Sequence, residues 1–181
     1  MTDFRIQKDS LGDVSVPVDA LYGAQTQRAV DNFHISGIPM PGQFIASLGM
    51  IKAAAAGANA DLGLLDSILA EGIVAAAKSV SQGKHHQHFP VDVFQTGSGT
   101  STNMNANEVI ATLAAQQLGI PVNPNDHVNC SQSSNDVIPT AIHVSAELAL
   151  EKSLLPALSD LTRAIAKRED SAAGLIKTGR T

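Results

Sequence analysis

Two clusters rich in neutral hydroxyl and amide groups hold the densest hydrogen-bonding chemistry of this 181-residue chain. The first is Gly97-Ser98-Gly99-Thr100-Ser101-Thr102-Asn103, and the second is Ser131-Gln132-Ser133-Ser134-Asn135-Asp136. Neither contains Lys or Arg, and both stand where a loop is expected to enter a helix. A helix N-terminus leaves backbone N–H groups without intrahelical partners, and glycine beside them lets an anion approach closely. Ser, Thr and Asn add neutral donors that grip carboxylate oxygens. Taken singly, the first cluster reads as a flexible turn and the second as a helix cap. Two such clusters, each opening a helix, point to one small, doubly anionic ligand held from more than one side.

Other reactive residue types offer less. His85, His86 and His88 are not spaced to put two ligands on one helix face, and only Asp92 is near, so the run reads as a solvated connector and no metal site is expected. Cys130 has no His–Asp arrangement to make it a nucleophile and reads as structural filler. His143 lies one position from an apolar stripe, as a packed or interface histidine. Asn103, Asn105 and Asn107 read as ties between segments, because Asn is a poor helix former unless its side chain is used.

The elements that position the clusters are mostly helical. Apolar–polar alternation in Phe4–Lys8 and again at Val14, Val16 and Val18 predicts a short hairpin turning between Asp9 and Asp13. Phe44, Leu48, Ile51 and Ala55 recur at helical spacing, with Gly63 as the stop. Asp66 is placed to cap a following helix that Gly83 ends, and a further helix is predicted over 103–118, closed by Gly119 and Pro121. Ala141, Val144 and Leu148 form one later stripe, and Leu154, Leu158, Leu161 and Ile165 another. Pro156 falls inside the second, so a kink or restart is expected there. A boundary near Asn129–Gln132 divides the chain into 1–132 and 133–181. The second segment is too small to bury its own leucine faces.

Composition narrows the class. Hydrophobic residues make up 44% and charged residues 16%, a core-forming balance. Aromatics are 3% with no Trp, so Ala, Leu, Ile and Val must build a core of closely packed helices. A net charge of −5 gives no footprint for nucleic acid. No apolar run reaches membrane-span length, and MTDFRIQKDS lacks a signal-peptide apolar region. The single Cys130 fits a reducing cytoplasm.

Written out, Pro90-VDVFQTGSGTSTNMNANEVIA-Thr112, Asn123-PNDHVNCSQSSNDVIPTAIH-Val144, Lys177-TGR-Thr181 and Leu21-YGAQTQRAV-Asp31 closely resemble class II fumarate hydratases of the fumarase/aspartase superfamily. The resemblance runs from about Phe4 to Thr181. It implies a mainly α fold: a small N-terminal β-hairpin plus helical domain, then the start of a long central helical bundle at the heart of a homotetramer. It implies reversible, stereospecific hydration of fumarate to L-malate in the tricarboxylic acid cycle, without metal or organic cofactor. Substrate contacts carry over to Ser98, Gly99, Thr100, Ser133, Ser134, Asn135 and Thr181. The family's catalytic His follows that Thr and its catalytic Ser lies far downstream, so no catalytic residue is expected within this chain, which reads as an N-terminal portion inactive alone. Asn123-Pro124-Asn125-Asp126 corresponds to a second anion site of the family. Fumarases usually carry His at the Asn123 position, whereas aspartate ammonia-lyases tend to carry Asn. The lost imidazole counts against ligand binding there, and a Pro-containing turn with Asp126 capping a short helix is an equal reading. Ser98 and Ser134 favour fumarase, since ammonia-lyases more often show Ala and Thr at those positions. The alternatives are therefore an aspartate ammonia-lyase, or a non-catalytic helical oligomerisation module.

Overall fold

The computed structural model describes residues 3–179, which fall into two compact units, one up to Ser145 and one from Ala146. The expected hairpin forms from β1 (Phe4–Asp9) and β2 (Gly12–Pro17), paired antiparallel from Phe4 opposite Pro17 to Asp9 opposite Gly12. Ser10 and Leu11 are the two-residue turn, so both strands run further toward it than alternation alone predicts. The turn is anchored from outside. Arg28 of α1 (Ala24–Asn32) donates to both Asp9 carboxylate oxygens at 2.9 and 3.0 Å and to the Gly12 carbonyl at 3.0 Å. That hydrogen-bonded pairing holds the Asp9 carboxyl below its ordinary pKa and the Arg28 guanidinium above its own.

α1 begins without a side-chain cap of its own. Glu108, from α4 (Thr100–Leu118), supplies one: its carboxylate accepts the N–H groups of Gly23, Gln25 and Thr26 at 2.8, 3.0 and 3.1 Å. An anion at a helix N-terminus satisfies orphan donors and opposes the macrodipole's positive end. The pairing also fixes α1, and through Arg28 the hairpin, against α4.

α2 (Gly42–Asp61) and α3 (Ser67–Ser81) pack side by side. Asp66 caps α3 as predicted, accepting from the Ile68 and Leu69 N–H groups at 2.9 and 3.2 Å. Gly49 lets α2 approach closely, since a Cβ there would meet the Ala77 carbonyl oxygen at 2.7 Å. The buried seam of α2 runs through Ile45, Leu48, Lys52, Ala56 and Asn59, about one position round from the stripe through Ile51 and Ala55. Two polar residues occupy that seam, which apolar periodicity cannot register. α4 is central: every residue from 102 to 111 is buried. The core of Ile45, Leu48, Ile73, Val80, Val109 and Ile110 is aliphatic, as the aromatic-poor composition requires.

α4 starts at Thr100, three residues before the predicted start, because the donor cluster itself forms its first turn. α5 (Ser134–Ala149) passes into a π-helical turn over 150–154 and then α6 (Leu155–Ala172), with Pro156 in its first turn. This is the expected restart: proline's missing N–H is tolerated at a helix start and its ring clashes with the carbonyl four residues back. No described residue of the second unit is buried, and Leu154, Leu158, Leu161 and Ile165 are all exposed. Among the described residues, no helix is long and apolar enough to cross a membrane.

Candidate functional site

The two donor clusters meet. Thr100, first residue of α4, shares a hydrogen bond with Ser98 at 2.8 Å and with Ser134, first residue of α5, at 3.1 Å. Ser98, Thr100 and Ser134 thus form a continuous chain of hydroxyls across two segments 34 residues apart. Each hydroxyl has one rotatable proton and two lone pairs, so the chain can turn donors outward to an anion and relay hydrogen bonds inward. Ser98, Thr100, Ser133 and Asn135 are exposed, and Ser134 is half-buried. The Ser133 carbonyl accepts from the Val137 N–H at 2.9 Å, and its hydroxyl from the Asn135 N–H at 3.2 Å, so Ser133 caps α5 while bordering the open face.

Gly99 is what lets the segments approach. Its φ is +68°, and a Cβ would sit 3.1 Å from three side-chain atoms of Ile138, one turn into α5. Both the left-handed backbone and the tight contact favour glycine. Behind Gly99, Gln95 stands over the helix start: its Oε1 accepts from the Thr102 N–H and hydroxyl, both at 2.9 Å, and its Nε2 donates to the Asp92 carbonyl at 2.8 Å. Asp92 in turn accepts from the N–H groups of Ser36, Gly37 and Phe94 and from the Ser36 hydroxyl. Burial works against its charge, but these donors prevail and pull its pKa down to about 2.

The second cluster rests on a turn braced by neutral amides. Asn103 and Asn107 of α4 donate to Asn129 Oδ1 at 3.2 and 3.1 Å, the segment ties expected of those asparagines, and Asn105 donates to the His88 carbonyl at 2.9 Å. Ser131, in the same turn, is the one non-glycine with positive φ among the described residues, at 57°. Asn129, Gln132, Gln95 and Lys52 were not singled out by sequence as site-bearing. The first three lie inside the quoted motifs, and Lys52 stands in register between buried Leu48 and Ala56, which was the available signal.

Asn123, Pro124, Asn125 and Asp126 open a one-turn π-helical segment over 124–128. Asn123, not Asp126, is its cap: Asn123 Oδ1 accepts from the Asn125 and Asp126 N–H groups at 2.8 and 3.0 Å. Asn is the better placed residue because its oxygen reaches forward to the second and third N–H groups, whereas Asp126 already lies inside the turn. Those two backbone donors are thereby engaged within the segment. Asn123 and Asn125 border a cavity of about 720 Å³ that also touches Asp9, Arg28, Thr96 and Ser101. One wall of this cavity is therefore the back of the first donor cluster.

The remaining candidates fall outside this arrangement. His85 and His88 are half-buried and His86 exposed; His85 Nε2 lies 2.5 Å from the Ser79 hydroxyl. Burial lowers the pKa of His85 and of His88. Among the described residues no group of three or more His, Cys, Asp or Glu could hold a metal ion. Cys130 is half-buried and His143 exposed within this chain. Thr181 lies outside the described residues.

Residues 12–181 match the family described as lyase, and the chain belongs to that family. Its relatives are narrower in kind. The chain is 60% identical to a class II fumarate hydratase of Xylella fastidiosa over 178 residues, which cover 98% of this chain and 38% of that protein. It is 57% identical to a second such enzyme, of Pseudomonas aeruginosa, covering 100% of this chain and 40% of that one. The crystal structure of a class II fumarase from Schistosoma mansoni superposes with a TM-score of 0.94 at 42% identity, over 99% of this chain and 39% of that one. A fumarate lyase:delta crystallin from Brucella melitensis gives 0.94 at 43% identity, over 99% of this chain and 43% of that one. The mainly α architecture with its small hairpin is thus that of the fumarase fold. The chain spans about two fifths of the length of these relatives.

Proposed function

We propose that the polypeptide to which this chain contributes is a class II fumarate hydratase, adding water reversibly and stereospecifically to fumarate to give L-malate. The observation that carries the reading is the contact of Thr100 with Ser134, which joins the two donor clusters, in a chain so similar to enzymes of that name. In this reading Ser98, Gly99 and Thr100 grip one part of the dicarboxylate and Ser133, Ser134 and Asn135 another, with Thr181 a further contact. Addition of hydroxide to one alkene carbon drives charge onto the carboxylate attached to the other. Donors fixed in advance stabilise that developing charge more than they stabilise the substrate. The chain thus supplies binding and electrostatic stabilisation, and the proton-transfer groups lie outside it. Hence the 181-residue chain alone is expected to give no hydratase turnover.

The same reading assigns the protein to the cytoplasm and the tricarboxylic acid cycle, and its native form to a homotetramer. Residues 1–132 then form the N-terminal lyase domain and 133–181 the beginning of the central bundle. The Asn123–Asp126 segment is a candidate second anion site with two of its N–H groups already occupied. Asn123 is also the one residue that favours an aspartate ammonia-lyase. Loss of fumarate absorbance, followed in the full-length protein with water alone and with ammonia added, separates the two. Turnover in water supports the hydratase; turnover only with ammonia rejects it.

A further inference from the structure

A lysine with no acidic partner among the described residues lies beneath the second donor cluster. Lys52 of α2 is fully buried, and burial lowers its pKa to about 7, with no charged group contributing. Its Nζ donates to Asn129 Oδ1 at 2.9 Å and to Gln132 Oε1 at 2.8 Å. From these two amides the contacts spread through the turn. Asn129 Nδ2 donates to the Gln132 carbonyl at 3.1 Å, and Gln132 Nε2 to the carbonyls of Val128 and Cys130 at 2.9 and 3.1 Å. Asn59, two turns beyond Lys52, donates to the same Cys130 carbonyl at 2.9 Å. The turn so braced contains the left-handed Ser131 and leads to Ser133, the residue before α5. A non-glycine residue in that conformation persists only where its surroundings over-determine it.

We propose that Lys52 is a positioning residue of the site: its amino group holds the Asn129–Gln132 turn in the shape that presents Ser133, Ser134 and Asn135 to a dicarboxylate. The ligand class rests on the fumarase reading above; the bracing of the turn does not. Stability alone disfavours an amine here, because desolvating a cation with only neutral acceptors is costly and an apolar side chain of similar length fills the space more cheaply. Taking the amine away leaves the Gln132 amide oxygen without its donor and frees the rotation on which the turn's other bonds depend.

The two roles, bracing and mere filling, predict opposite outcomes for Lys52→Met. In the 181-residue chain, amide exchange across 129–135 is expected to quicken by roughly tenfold while exchange in α3 is unchanged and Tm holds or rises. In the full-length protein, KM for fumarate is expected to rise roughly tenfold with a smaller change in kcat. Ile73→Val, a core change remote from the turn, is expected to lower Tm and leave KM alone. Gln132→Met removes one of the lysine's two acceptors and should reproduce both changes, which keeps the test open if Lys52→Met does not fold. Exchange at wild-type rates across 129–135 in the variants, or an unchanged KM, overturns the proposal. A full-length wild type that neither binds nor hydrates fumarate instead overturns the fumarase reading, and the exchange measurement still judges the bracing.

Discussion

Thr100 owes its importance to position, standing between Ser98 and Ser134 with one hydroxyl that bonds to both. Replacing it by Ala removes a donor and breaks the side-chain bond that joins the two clusters. In the full-length enzyme, Thr100→Ala is expected to lower kcat/KM by about a hundredfold or more, on the order of 3 kcal/mol of transition-state stabilisation, measured by steady-state kinetics. Asp92 shows a different kind of residue effect. Its folded pKa of about 2 lies below the ordinary 3.8, so the folded state binds its proton less readily than the unfolded state. The stability it contributes is present above pH 4 or so and is lost as pH falls through about 2. Asp92→Asn should therefore reduce Tm at neutral pH and flatten the acid limb, checked by thermal melts from pH 7 down to about 2. The donor residues themselves were legible in sequence, because hydroxyl density beside glycine is a local property. Asp92 was noticed only as a neighbour of the histidines, since its four donors come from a segment more than fifty positions earlier and from Phe94.

Helix starts are where this chain places its side-chain chemistry. α3 is capped from within by Asp66, and Asp66→Ala is expected to cost about 1 kcal/mol, lowering Tm by a few degrees in a melt of the 181-residue chain. α1 is capped by Glu108, 82 to 85 positions away, so no local pattern announced it. This contrast explains which elements could be read. The hairpin, the Asp66 cap, the helix ends at Gly63, Gly83 and Gly119, and the restart at Pro156 all follow from residues adjacent in sequence. The buried seam of α2 did not, because Lys52 and Asn59 interrupt its apolar pattern and are buried only by virtue of the carbonyls and amides that come to meet them.

Across the whole chain, burial is unevenly shared. The first unit has an aliphatic core around α4, whereas the leucine stripe of α6 is open in this chain. Exposed apolar patches of this extent favour association. The purified 181-residue chain is therefore expected to self-associate in light scattering, and Leu158→Glu combined with Leu161→Glu to shift it toward monomer. A clean monomer of the unsubstituted chain would contradict this.

Much of the local order, and the chemistry on offer, were determined by sequence alone: the hairpin, the helices over the central segments with their glycine stops, and the stretches that carry neutral donors for an anion. These depend on backbone preferences and on side chains close in the chain, and both act before tertiary packing. Only the tertiary structure decided that Thr100 and Ser134 touch, that Glu108 caps α1, and that Lys52 lies buried under the 128–132 turn. Those pairings join residues far apart in sequence, and each depends on the packing of helices around α4 rather than on any periodicity within one of them.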